Sequence, residues 1–212
     1  MDTCREGRYW GRFASSYDSD GEYVVGRAIL QAIVERLLNE QSLGNAVELG
    51  CGTGYFTKAI AQRARHVVAT DVSDEMLAVA EMQLANYRNV TVQKADCAHT
   101  SFRAESFDSV VMVNLLHILA EPLGCLLESH RILRRGGRLI VVGFTGYQMT
   151  FLEKMSLGFR YLSKWGPPPR GGRLGMCPEE LSALVEGAGY KVEEVALLRG
   201  GANALYAKAE KL

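Results

Sequence analysis

The sequence has no cysteine pair, no excess of either charge and no apolar run long enough to cross a membrane. Each gap removes a class of protein. The five cysteines (Cys4, Cys51, Cys97, Cys125, Cys177) are scattered singly, without a CxxC. Disulfide frameworks and zinc sites need closer or paired spacing, so these read as reduced thiols of a cytoplasmic protein. Lys and Arg together number 24, and so do Asp and Glu. The chain therefore lacks the basic surplus usual in nucleic-acid binders, although a local patch can hide inside the balance. No segment reaches the ~18 consecutive apolar residues of a membrane span, and MDTCREGRYW lacks the apolar h-region of a signal peptide. No cluster of Asp, Glu or His suggests a catalytic metal.

What is present fits one globular domain over residues 1–212, with 48% apolar residues and enough length to bury a full core. Apolar residues at helical spacing predict an N-terminal helix over Glu22 to Gln41. Short β-rich runs follow at Ala46 to Leu49, His66 to Thr70, Val90 to Ala95 and Phe107 to Val113. Helical stretches lie between them: one from Gly54 to about Ala64, one capped by Ser73, and one from Pro122 to about Arg135. Gly136-Gly137 then predicts a chain reversal before a fifth strand, Arg138 to Phe144. Alternation of this kind implies a parallel sheet with covered faces. After a short helix at Pro178 to Ala188, Lys191 to Leu198 and Asn203 to Ala209 read as a hairpin, so one strand must be antiparallel.

The stretch AVELGCGTGYFT places Gly50, Gly52 and Gly54 at the first strand-to-helix turn. Such a turn brings backbone N–H groups and a helix N-terminus against a ligand where Cβ atoms would intrude. Ligands of these sheets bind outside the carboxyl ends of the strands. Glu48, Asp71 and Asp96 fall at the ends of the first three. Three carboxylates around one turn repel phosphate and suit a ligand with an amino group, a ribose diol, an adenine amine and a positive centre.

ELGCGTG, ATDVSDEML, KADCAHTSF, FDSVVMVNLLHIL and RILRRGGRLIVV, in this order, resemble the successive motifs of class I S-adenosylmethionine-dependent methyltransferases of the small-molecule type. Tyr55 departs from the dinucleotide-binding pattern, which has glycine or alanine there. The resemblance implies an α/β, Rossmann-like sheet of seven mostly parallel strands in the order 3-2-1-4-5-7-6, last strand antiparallel, with helices on both faces. It implies S-adenosyl-L-methionine as cofactor, S-adenosyl-L-homocysteine as product, and methyl transfer by in-line displacement to a small, partly apolar or anionic acceptor. RNA or protein methylation and a non-catalytic cofactor-binding module are the alternatives.

Residue by residue, the resemblance implies that Glu48 supports the methionine amino group. Gly50, Cys51, Gly52 and Gly54 form the turn, with Cys51 read as a packing residue. Asp71 takes both ribose hydroxyls, Val72 and Met76 contact the adenine face, Asp96 takes the adenine amine and Cys97 gives a backbone N–H. Asn114 and Leu115 form the floor beneath the sulfonium. Asp71 can also be read as a helix starter and Asp96 as a loop cap. Asp108, at the far end of its strand, reads as structural. His117 follows the fourth strand where the family faces the acceptor; a catalytic proton acceptor and a packing residue are both open, and His99 is a weaker candidate.

RYWGRFASSYD resembles the family's aromatic segment that folds over the cofactor, here a lid over residues 1–21. Tyr17 is its candidate catalytic residue, near the methionine carboxylate or the acceptor, and a plain packing role for these aromatics is equally open. A substrate cap is expected over residues 145–177. There Leu152, Met155, Phe159 and Leu162 form one helical stripe, among Lys154, Arg160, Lys164, Arg170 and Arg173, before Pro167 to Pro169 and Gly171-Gly172. The stripe is expected to face the acceptor or, failing that, the core; its cations could meet an anionic group or a membrane surface.

Overall fold

A computed structural model describes residues 3–168 and 175–212, with side chains from Gly7 onward. The readings made for Pro169, Arg170, Gly171, Gly172, Arg173 and the Cys4 side chain lie outside the described residues.

Three helices, α1 (Thr3–Gly11), α2 (Tyr17–Val25) and α3 (Arg27–Leu38), precede the sheet. Then come β1 (Gly44–Leu49), α4 (Thr57–Arg63), β2 (Ala64–Asp71), α5 (Asp74–Leu84) and β3 (Val90–Lys94). The second half holds β4 (Phe107–Val113), α6 (Pro122–Ile132), β5 (Leu133–Thr145) and α7 (Phe151–Trp165). The chain closes with α8 (Pro178–Gly187), β6 (Tyr190–Leu198) and β7 (Asn203–Lys211). The sheet order is β3-β2-β1-β4-β5-β7-β6, with β7 antiparallel to both β5 and β6. That is the order and the reversed strand expected. After β3 the chain returns past β1 to start β4, so a crevice opens between the carboxyl ends of β1 and β4.

Side chains alternate across the strands. Val47, Leu49, Val110, Met112, Leu139 and Val141 meet α6 and α8 on one face. Ala46, Val111, Val113, Ile140 and Val142 meet α3 and α4 on the other. Ile29, Ile33 and Leu37 of α3 are wholly buried there, each contributing about 1.5–3 kcal/mol by leaving water.

Two expected boundaries and one expected orientation are corrected. The helix expected over Glu22 to Gln41 is two helices, broken at Gly26, whose φ is 92°. The Val25 carbonyl accepts from Ala202 N–H at 2.9 Å, a tertiary bond that turns the chain there. The helix expected to reach Arg135 ends at Ile132, because Leu133 already pairs with Phe107. Gly136 (φ 67°) therefore lies inside β5, where the β4–β5 register slips between Phe107 and Ser109. The third concerns α7. Phe151, Leu152, Met155, Phe159 and Leu162 are exposed, while Leu157, Tyr161 and Trp165 pack inward. The stripe faces solvent, not the core, and among its members only Leu162 touches the cavity beneath.

Candidate active site

At the carboxyl end of β1 the chain turns through Gly50, Gly52 and Gly54, all with positive φ, a region costly for side-chain-bearing residues. A Cβ on Gly50 would meet Leu115 at 2.8 Å, whereas at Gly52 nothing lies within 4 Å. Gly52 thus leaves open space against the backbone where a ligand can approach. Cys51 N–H donates to Thr70 O at 2.8 Å, which ties the turn to β2.

Two carboxylates flank this turn. Asp71 Oδ2 accepts from Gly52 N–H at 3.0 Å and Oδ1 from Ser73 N–H at 2.9 Å. Ser73 caps α5 as expected, accepting from Met76 N–H at 3.3 Å. Burial holds the Asp71 carboxyl above its ordinary range despite those donors. Glu48 is 1% exposed and accepts from Thr57 Oγ1 at 2.5 Å. Burial, reinforced by Asp71, raises it to about 7, the Thr57 bond only partly opposing.

A narrow cavity of about 100 Å³ is lined by Gly50, Cys51, Gly52, Asp71, Val72, Met76, Cys97, Asn114 and Leu115, with Gly7, Trp10 and Tyr17 over it. Ten of the sequence-derived residues meet here. Glu48, Gly54 and Asp96 do not line it. Glu48 lies beneath the turn, Gly54 would meet Leu84, and Asp96 Oδ1 accepts from Ala98 N–H at 2.9 Å. His99 is exposed and bridged to Asp96. Asp108 sits at the opposite strand end, accepting from Asn45 N–H at 2.7 Å and paired with Arg134.

Beside it lies a cavity of about 700 Å³ under α7, with Trp10, Tyr17, Asn114 and Ile118 common to both walls. The rest of its wall is chiefly apolar and aromatic, including Val24, Val25, Phe144, Tyr147, Leu157, Tyr161 and Trp165. Tyr17 stacks on Trp165 at 5.7 Å and meets Trp10 edge-on at 5.9 Å. Its hydroxyl is held above the ordinary range, by burial first and then by Asp71 and Asp18.

Asn114 sits at the junction with φ 58°, a conformation rare for a residue bearing a side chain and often found at functional sites. Among the described residues its Oδ1 is buried without a hydrogen-bond partner, as is His117 Nδ1. His117 lines the larger cavity. Burial lowers it to about 4, which weighs against a ring that takes a proton near neutral pH.

Sequence reading missed the partners that hold the aromatic segment in place, Thr53, Gln83 and Trp165. Asp18 accepts from Thr53 Oγ1 at 2.5 Å and from Gln83 Nε2 at 2.7 Å, pinning the aromatic segment to the glycine turn. Tyr9 donates to Trp165 O at 2.8 Å, pinning it to α7. The spacing of Trp10, Phe13 and Tyr17 was the available signal; nothing local pointed to Trp165 as their partner.

A glycine turn at the β1–β4 crevice, flanked by acids ending β1 and β2, in a sheet of this order, is the arrangement that the sequence resemblance implies. Residues 47–141 match the family model described as "Methyltransferase domain". A demethylmenaquinone methyltransferase of Clavibacter sepedonicus is 34% identical over 119 residues, covering 56% of this chain and 45% of that protein. A ubiquinone biosynthesis O-methyltransferase of Aeromonas salmonicida is 26% identical, covering 70% and 63%. The chain thus spans less than two thirds of the length of these relatives. A Thermotoga maritima structure described as a possible histamine N-methyltransferase superposes with a TM-score of 0.69 at 26% identity, covering 97% and 99%.

Proposed function

We propose that this chain moves a methyl group from S-adenosylmethionine to a small, largely apolar acceptor held in the larger cavity. The observation that carries this is the pair of cavities sharing one wall, the first flanked by acids and the second chiefly apolar. Two buried carboxyls raised by burial fit a cationic ligand, because nearby positive charge restores their ionised form. Gly50, Cys51, Gly52, Asp71, Val72, Met76, Cys97, Asn114 and Leu115 would hold it, with Glu48 and Gly54 acting through the turn and Asp96 from the adjoining loop. When bound, that cofactor supplies an activated methyl group on a good leaving group.

The chain's own contribution is then mainly alignment, worth up to ~7–11 kcal/mol when the reacting atoms are well placed. Trp10, Tyr17, Asn114 and Ile118 stand where the two ligands would meet. His117 fits a neutral hydrogen-bonding role toward the acceptor better than that of a strong base. Among the described residues its Nδ1 has no hydrogen-bond partner to orient it, and burial weakens its basicity. Relatives named for demethylmenaquinone and for ubiquinone biosynthesis support an apolar, ring-bearing acceptor. The alternatives, RNA or protein methylation, need a cleft open to a large substrate, whereas this cavity is walled by Trp10, Tyr161 and Trp165. Free thiols at Cys51, Cys97, Cys125 and Cys177 fit a reducing, cytoplasmic setting.

Calorimetry with S-adenosylmethionine comes first; no binding at millimolar concentration rejects the proposal. A methyl-transfer screen over small-molecule extracts, RNA and protein then separates the acceptor classes. Binding without transfer to any of them points to a non-catalytic module.

A further inference from the structure

The inward face of α7 runs Lys154, Leu157, Tyr161 and Trp165, in steps that keep them on one side of the helix. All four line the larger cavity. Three of them offer it apolar and aromatic surface. Lys154 breaks the pattern, and helix formation gives no reason for it. It lies in the first turns of α7, toward the end where positive charge opposes the helix dipole. Lys154 is also exposed, so its ammonium stands at the rim of the cavity rather than in its depth.

The neighbouring charges are all engaged. Arg160 donates to the carbonyls of Ser156, Tyr23 and Gly201, and Lys164 pairs with Asp20 at 2.8 Å. Glu153, the helix's lone acid, is bonded back to Thr150. Among the described residues nothing engages the Lys154 ammonium, and no other lysine, arginine or carboxylate lines this cavity. Gln148 shares the wall with its backbone in the left-handed region, φ 57°, a conformation that persists only where the surroundings hold it. Here Tyr147 N–H donates to Thr145 Oγ1 at 3.0 Å and Asn203 Nδ2 to Tyr147 O at 2.9 Å. Arg199 takes Gln148 Oε1, which leaves the amide N–H groups as what Gln148 can offer a ligand. Neither Lys154 nor Gln148 lies on the wall shared with the narrow cavity. A cation and an amide donor thus stand apart from the junction where the methyl group would cross.

We propose that the larger cavity takes a ring-bearing carboxylate, its anionic end paired with Lys154 and hydrogen-bonded by Gln148, its apolar body among Leu157, Tyr161 and Trp165. One negative charge answers one compact ammonium. A phosphate would bring close to two charges and three acceptor oxygens, more than a single lysine meets. The carboxylate positions the molecule and is not the atom methylated, because it sits away from the junction. That this carboxylate is the methyl acceptor rests on the proposed methyl transfer; the cavity's preference for it does not.

Calorimetry of the full chain with naphthoate, its neutral isostere naphthamide and naphthyl phosphate tests this. The parent is expected to bind naphthoate about fivefold or more tighter than naphthamide, with added salt eroding the difference. Lys154→Met keeps the stem and removes the charge. It should bring naphthoate to the level of naphthamide, while naphthamide binding and the melting temperature stay those of the parent; Lys154→Arg should keep the preference. No binding of naphthoate at millimolar concentration, equal binding of naphthoate and naphthamide by the parent, or a preference that survives Lys154→Met overturns the proposal. Naphthyl phosphate binding tighter than naphthoate overturns the choice of carboxylate. S-adenosylmethionine titrated into the same protein keeps the two readings apart. If it binds and the preference is missing, only the carboxylate assignment fails; if it does not bind while the preference stands, only methyl transfer fails.

Discussion

At the scale of single residues the buried acids make the most direct predictions. The folded-state value of Glu48 is raised to about 7 from 4.5. Between those values the folded chain holds a proton that the unfolded chain does not, so this group's contribution to stability falls as pH rises through that window. A cationic ligand favours the carboxylate and should expel the proton. Cofactor affinity is therefore expected to climb as pH rises toward 7 and then to flatten, with Glu48→Gln lacking this component. Calorimetry of both proteins in buffers of different ionisation enthalpy isolates it, since the ligand's own amine titrates in each; identical proton release would refute the coupling. For Asp71, whose oxygens also hold Gly52 and Ser73 N–H groups, Asp71→Asn keeps the shape and removes the charge. Loss of charge-assisted bonds to the ribose should cost about 1.5–3 kcal/mol of binding, which a titration reads directly. Unchanged affinity would leave Asp71 as a turn-holding residue only. His117, lowered to about 4 by burial, should leave no inflection in the kcat/KM profile near the ordinary histidine value of ~6.5. An inflection there that vanishes in His117→Gln would restore it as a titrating base.

Elements were legible to different depths. The glycine turn, the Ser73 cap and the β6–β7 hairpin follow from local rules about φ, capping and loop length, so short stretches of sequence carried them. The break at Gly26 was not legible as a break, because its cause is the Ala202 N–H that captures the Val25 carbonyl. In α7 the difficulty is that periodicity groups residues by face without saying which face meets protein. Both Phe151–Leu152–Met155–Phe159 and Leu157–Tyr161–Trp165 make apolar faces, and only the partners of Trp165, namely Trp10, Tyr17 and Tyr161, select the second. Met155→Ala with Phe159→Ala is therefore expected to stay within about 0.5 kcal/mol of parent stability per site. Trp165→Ala, on the packed face, should cost about 3–5 kcal/mol. Thermal melts of the two variants decide; a large loss in the first would mean that the exposed stripe is covered in solution.

Across the whole molecule, the site joins segments far apart in the chain. Asp18 bonds Thr53, Tyr9 bonds the Trp165 carbonyl, and Tyr17 lines both cavities. Cofactor binding should then slow amide exchange at residues 10–18 as well as at residues 50–57, because a ligand that bridges segments suppresses the opening of each. Protection confined to the glycine turn would separate the aromatic segment from the cofactor site. The sequence by itself determined a parallel sheet with one antiparallel strand and the ligand edge, because strand periodicity, turn glycines and terminal acids are written locally; the strand order came with the resemblance of its successive motifs. It also determined most of the narrow cavity's wall, since those residues follow the ends of strands. Tertiary structure alone decided that Glu48 lies beneath the turn rather than in the cavity wall, that His117 is buried and neutral, and that the aromatics of α1, α2 and α7 enclose a second cavity. Burial and the protonation it imposes depend on what packs over a residue, and that is contributed by chain more than a hundred residues away.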